Sequence, residues 1–284
     1  MKIILKLITI CFLFPNFING QHIEIGGAGG FSTYLGDLSP SVKRISTGEL
    51  NFAAGGFLRY NYNNSFAVKL GLTYGQVSAN DSKSQNPGRQ ARNLHFKSSI
   101  FETSLTGEFN ILGFEPRYLS KTFSPYIFGG IGFFAFNPKA EYQGKWVDLR
   151  PLRTEGQGLA DFPERKPYKK IAISIPFGGG FKYAINDKLI IGMEMGLRMT
   201  NTDYLDDVST TYVADDILNE NLGEVSAALA NPSGTPRATG SKRGTATNND
   251  WYFISSITVS YNLIDSGLSG PRRKNRRALG CPTF

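Results

Sequence analysis

A chain of 284 residues with 40% hydrophobic content and a mean hydropathy of −0.22 lacks the apolar sequence for a bundle of membrane helices and fits one large domain or two small ones. Its formal charge of +8 points to an anionic lipid surface or an acidic protein as partner. Two cysteines, one of them in the N-terminal apolar stretch, exclude a disulfide framework.

Residues 1–20, MKIILKLITICFLFPNFING, carry Lys2 and Lys6, then an apolar run, then Gly20 ahead of Gln21. That pattern predicts a secretory signal peptide, too short and wrongly flanked for a membrane span. Ile10 is too bulky for the small-residue site of a lipoprotein signal, so Cys11 leaves with the peptide and only Cys281 remains. Removing Lys2 and Lys6 lowers the charge to +6. Export makes nucleic acid an unsuitable partner.

Eight alternating runs follow, over residues 22–38, 49–62, 65–77, 95–112, 124–136, 171–185, 188–200 and 251–264. A period of two means strand. The pair at 171–200 is the clearest. Ile171, Ile173, Ile175, Phe181 and Tyr183 oppose Ala172, Ser174 and Lys182, and Leu189, Ile191, Met193 and Met195 oppose Gly192 and Glu194. Runs of this length exceed the usual strand of about 5 or 6 residues and match the roughly 9 to 11 that a tilted strand needs to cross a bilayer. Run 124–136 is apolar on both faces and leaves its orientation open.

The connections alternate in length. Those at 63–65, 113–123 and 186–187 are short, whereas 78–93, 137–170 and 201–250 read as long exposed loops. Short periplasmic turns and long outer loops predict an all-β fold, a closed antiparallel transmembrane β-barrel of about eight strands. The barrel spans residues 21–264, with a basic periplasmic tail over 265–284.

Phasing the strands in this way puts Glu24, Glu102, Glu108 and Glu194 inside with Arg59, Lys69, Lys182 and Arg198. An eight-stranded barrel is only wide enough for side chains to fill, and buried charges persist only when paired. The expectation is a self-neutralising, plugged lumen. No nucleophile–base pair is visible, and His22 and His95 read as interfacial or lumen residues. The GGAGG and GGG stretches lack the strand-to-helix setting of a phosphate loop. Asp203, Tyr204, Asp206 and Asp207 sit in a TDYLDD cluster that lacks the spacing of a calcium loop, so a solvated or loop-locking role is expected. Neither an enzyme, nor a cofactor or metal, nor a small-molecule substrate is therefore anticipated. In the tail, Arg272, Arg273, Lys274, Arg276 and Arg277 form a basic block, either a solvated tail or a docking arm for an acidic partner or the inner-leaflet lipid.

Several segments carry a resemblance: Tyr34-Leu35-Gly36-Asp37-Leu38, Thr154-Glu155-Gly156-Gln157-Gly158, Ile175-Pro176-Phe177-Gly178 with Lys182-Tyr183, residues 202–209 with Tyr212, Asn249-Asp250-Trp251-Tyr252, and Cys281-Pro282. Together they resemble the PorG-like outer-membrane barrels of Bacteroidetes. The resemblance implies a component of the type IX protein secretion system, also linked to gliding, associated beneath the outer membrane with a periplasmic ring of a lipoprotein and its partner. It brings no catalytic residues. The alternative is a surface barrel whose long loops bind a ligand or a cell, in the manner of an adhesin.

Overall fold

The computed structural model describes residues 22–39, 49–116 and 121–263. The expected signal peptide and the tail with Arg272, Arg273, Lys274, Arg276 and Arg277 lie outside the described residues.

Eight long strands close on themselves. They are β1 (His22–Leu35), β2 (Asn51–Asn61), β3 (Phe66–Asn80), β4 (His95–Asn110), β5 (Phe123–Tyr142), β7 (Ile171–Ala184), β8 (Leu189–Thr200) and β9 (Trp251–Asn262), with the short β6 (Lys145–Asp148) between β5 and β7 in sequence. Each pairs antiparallel with its neighbour, β4 pairs with β5, and β1 pairs with β9, so no barrel edge is left open. The outward positions form an apolar belt: Phe52, Ile171 and Ile257 are each about two-thirds exposed, with Leu70, Leu105, Ile127 and Val259 between them. A surface of that kind is stable against hydrocarbon and not against water.

Small residues inside make room for large ones. A Cβ on Gly26 would meet the Phe57 ring at 2.4 Å, and one on Gly196 would meet the Phe128 ring at 2.6 Å. The orientation of β5 follows from the same crowding. Tyr126, Phe128, Phe134 and Phe136 point in and Ile127, Ile131 and Phe133 point out. Aromatic rings fill the lumen at this strand, which is why its two faces look alike in sequence.

Three stretches expected to be exposed loops are built structure. β3 continues to Asn80, and a 3-10 turn at Asp81–Lys83 and helix α1 (Pro87–Arg92) follow, with Asp81 buried. β5 continues to Tyr142 and folds back as a hairpin with β6. Within 201–250 lie helices α2 (Asp215–Leu222) and α3 (Glu224–Ala230). Hydrogen bonds among these loops and to the barrel rim satisfy backbone groups that a solvated loop would leave to water. They form a folded cap over one end of the barrel, and the short turns lie at the other.

Candidate functional site

Side-chain alternation places the strand charges in the lumen. Glu24, Arg59, Lys69, Glu102, Glu108, Lys182, Glu194 and Arg198 are all buried. Glu108 is the centre of the larger group, 3.0 Å from Arg59 Nε, 3.5 Å from Lys69 Nζ and 3.1 Å from Lys182 Nζ. Arg59 Nη1 donates to Glu24 at 2.6 Å, and Asn61 and Ser260 donate to the same carboxylate. His22 stands 3.4 Å from Glu24 at the lumen end of β1. Lys69 also pairs with Glu194, which accepts from Tyr126 at 2.9 Å. Nearer the cap, Arg198 Nε lies 3.7 Å from Glu102, which accepts from Ser174 and Tyr252. Four carboxylates thus meet four cations, the condition for keeping charge in a low-dielectric interior.

A cavity of about 40 Å³ lies between the two groups, lined in part by Lys69, Glu194, Arg198, Phe57 and Phe128, room for only a few waters. At the short-turn end residues 111–116 fold under the barrel, and Phe114 packs buried on Ala184 and Ile190 with Lys182 over its ring. At the other end a column of rings rises from the lumen into the cap. Tyr252 meets Phe134, Phe134 meets Phe136, and Phe136 stacks on Tyr168, which stacks on Tyr204 at 4.7 Å.

The cap contains a second buried polar cluster of a different kind. Tyr34, at the end of β1, holds its hydroxyl 2.6 Å from Asp206 Oδ2 and 2.6 Å from Asp250 Oδ1. A phenol has one proton to donate, so the second short contact requires a proton on one of the carboxyls. The remaining oxygens of the pair accept from the backbone N–H groups of Val208 and Leu205. Burial, reinforced by Asp37 and only partly offset by the Tyr34 hydrogen bond, pushes Asp206 up to about 8. Burial and the Asp206 charge push Asp250 well above the ordinary carboxylate range.

Asp207, held at φ 66°, accepts from Thr154 Oγ1 and Tyr168 Oη at 2.5 Å each. Burial raises it to about 6 against the pull of Arg243. Asp203 is buried, and burial raises it to about 8, opposed by the Ser209 side chain and reinforced by Asp206 and Asp37 nearby. Glu155 gathers the backbone N–H groups of Ser209 and Thr210, the Thr210 hydroxyl and Arg243 at 2.9 Å. Arg92 clamps Asp81 and reaches the carbonyls of Arg243 and Asp37.

All eight strand charges named from the sequence therefore meet in the lumen. Of the TDYLDD residues, Asp203, Asp206 and Asp207 are buried in the cap, and Tyr204 stacks on Tyr168 within it. They lock loops; a solvated role does not fit their burial. Among the described residues no cluster of carboxylates, histidines and cysteines has the arrangement of a metal site. Alternation could not identify Arg92, Thr154, Tyr168 or Arg243 as partners in the cap. One signal was available: Tyr34, Asp37, Glu155 and Asp250 all lie in the short segments that carry the family resemblance, and those segments converge in space.

A search of the curated proteins found no match to this chain. Among solved structures it is similar to Ail, the attachment invasion locus protein of Yersinia pestis, in complex with a heparin analogue (9% identity, 86% of this chain and 99% of that one, TM-score 0.40). It is also similar to the N-terminal β-barrel domain of OprF from Pseudomonas aeruginosa (11% identity, 86% and 98%, TM-score 0.36) and to the outer membrane protein OprG from the same organism (11%, 86% and 97%, 0.37). Residues 2–226 match the model of a domain of unknown function, DUF6089. The chain, a closed eight-stranded barrel with a charge-locked lumen and a folded cap, belongs to the DUF6089 family.

Proposed function

We propose that this protein is a non-conducting outer-membrane barrel that serves as a structural and docking component of the type IX protein secretion machinery. The observation that carries the first half is the lumen. Its charges are locked in pairs, Phe114 closes one end and the ring column closes the other. A barrel without a passage works through its two ends. The short turns then face the periplasm and the cap faces outward, as in outer-membrane barrels generally. The resemblance of the cap and strand segments to PorG-like barrels supports the second half, with a periplasmic ring of a lipoprotein and its partner as the assembly held. The turn at residues 111–116 is the described surface that would meet that ring, and the basic residues Arg272, Arg273, Lys274, Arg276 and Arg277, outside the described residues, would add a docking arm.

The test combines three measurements on the full chain. Purified barrel in planar bilayers is expected to give no steady channel, and tagged barrel in the envelope to retain ring proteins on a column. A deletion strain is expected to stop exporting cargo. Removing residues 265–284 separates docking through the tail from docking through the turn. Large steady currents, or normal export without the gene, would overturn the reading. A second reading rests on the cap itself, a built hydrogen-bonded unit that could hold a ligand or another cell. Normal export with lost surface binding in the deletion strain would select it.

A further inference from the structure

Among the described residues, the outward face of the barrel turns basic at the cap end of β4 and β5. On β4, Phe101 is exposed in the apolar belt, and Lys97 stands four residues further toward the cap on the same face. On β5, Phe133 is exposed in the belt and Lys139 lies six residues further on. Register places Lys97 beside Lys139, and Lys139 beside Asp148 of β6. At about 3.3 Å per residue along tilted strands, these cations leave the hydrocarbon and enter the zone of polar headgroups.

Their surroundings suit that zone. Lys97 Nζ sits 3.6 Å from the centre of the Trp146 ring, which is itself exposed and edge-on to His95. Lys139 and Lys170 flank Asp148 at 3.0 and 3.9 Å. Lys169, next to Lys170 in sequence, is exposed. Four lysines, Lys97, Lys139, Lys169 and Lys170, meet two carboxylates, Glu141 and Asp148, so the sector carries a net excess of two positive charges. Elsewhere on the described rim, Lys83 is paired with Glu49, and Gln76, Ser78, Asn80, Trp251 and Phe253 are uncharged.

We infer that the Lys97–Lys139–Lys170 sector with Trp146 is a binding surface for the phosphorylated headgroups of outer-leaflet lipid. Three features select lipid as the occupant. The patch continues strand faces that already meet hydrocarbon, its charge is opposite to phosphate, and it pairs an interfacial tryptophan with lysine stems that can bend toward the membrane surface. Bound phosphates bridging Lys97 and Lys139 would relieve the repulsion between two like charges placed side by side across β4 and β5. This surface lies beyond the docking role proposed above and holds whether or not that role is correct.

The probe is lipid A carrying both phosphates, compared with the same lipid after removal of its phosphates. Full mature barrel in detergent is mixed with each, and the lipid retained is counted by native mass spectrometry. Wild type is expected to retain the phosphorylated form selectively. Replacing Lys97, Lys139 and Lys170 together by Gln should weaken retention roughly a hundredfold, about fivefold per lysine, while replacing all three by Arg should preserve it. Heat-modifiable migration on gels verifies the fold of each variant. If the Gln variant does not fold, the phosphate dependence of the wild type decides. Equal retention of both lipids, or a folded Gln variant that binds like wild type, would overturn the assignment. So would a wild type that retains no lipid A while the patch cross-links to an envelope protein.

Discussion

The lumen and the cap both bury carboxyl groups, but four aspartates of the cap are held in a way that the lumen does not use. In the lumen each carboxylate meets a cation: Glu24 on Arg59, Glu102 on Arg198, Glu194 on Lys69, and Glu108 on three bases at once. In the cap, Asp203, Asp206, Asp207 and Asp250 find no salt bridge within reach, and neutral donors or shared protons take that place. Pairing charge with charge suits strands, where register fixes which side chains face one another across the barrel. Loops supply hydroxyls and free backbone N–H groups instead, so these four aspartates are held without a paired cation, beside the Glu155–Arg243 and Asp81–Arg92 ion pairs of the same cap. The lumen is thereby organised by Coulomb attraction, and the aspartate cluster of the cap by its proton inventory.

The largest expected effect strikes the lumen. Glu108→Gln leaves Arg59, Lys69 and Lys182 without their common anion and should destabilise the barrel by about 3–5 kcal/mol. Urea unfolding in detergent, followed by the shift between folded and unfolded gel bands, measures it; a loss near zero would mean the network is not what holds the lumen. Next comes Tyr34→Phe, which strips the hydroxyl that bridges Asp206 and Asp250. A loss of about 1–3 kcal/mol is expected in the cap, read as faster protease cleavage within 201–250 while the barrel band stays folded. Simultaneous loss of both would show that cap and barrel are one cooperative unit.

The pH response is a smaller and sharper test of the contrast. Asp203 and Asp206 hold protons up to about pH 8 in the cap but only to about pH 4 in an unfolded loop. Between those values the folded cap binds more protons than the unfolded one. Its stability is therefore fullest at the acidic end and declines as pH rises through about 8. Cleavage within 201–250 should accelerate from pH 6 to pH 9, and Asp206→Asn should flatten the curve. The smallest effect is expected from Asp203→Asn. Removing a charge that burial disfavours should stabilise the cap by about 1 kcal/mol at pH 8 and leave it nearly unchanged at pH 5. Destabilisation at both values would mean that the Asp203 carboxylate has a use as an anion.

The barrel was legible in sequence because a bilayer outside and a crowded lumen inside impose opposite demands on alternate residues. That is how Lys69 and Glu194, 125 positions apart, could both be assigned to the lumen before any contact was known. Alternation fails where both faces are apolar, as at β5, whose inner face packs rings on rings. It is silent on the cap, where Tyr34 reaches Asp206 across 172 positions and Asp250 across 216. Contacts of that range leave no periodic trace. The stretches 78–93, 137–170 and 201–250 were polar enough to read as solvated, yet their polar groups are turned toward one another.

One consequence concerns the order of assembly. Asp250 lies immediately before β9, and Tyr34 of β1 pairs in register with Tyr252. The β1–β9 seam joins the first and last strands, so it carries the largest loop-closure cost in the barrel and is the slowest pairing to form. Because the phenol can reach Asp250 only when that seam has zipped to its cap end, the latch cannot close on an unfinished barrel. Cap closure is thus a built-in checkpoint: a protease-resistant 201–250 segment marks a chain whose last strand has already found its first.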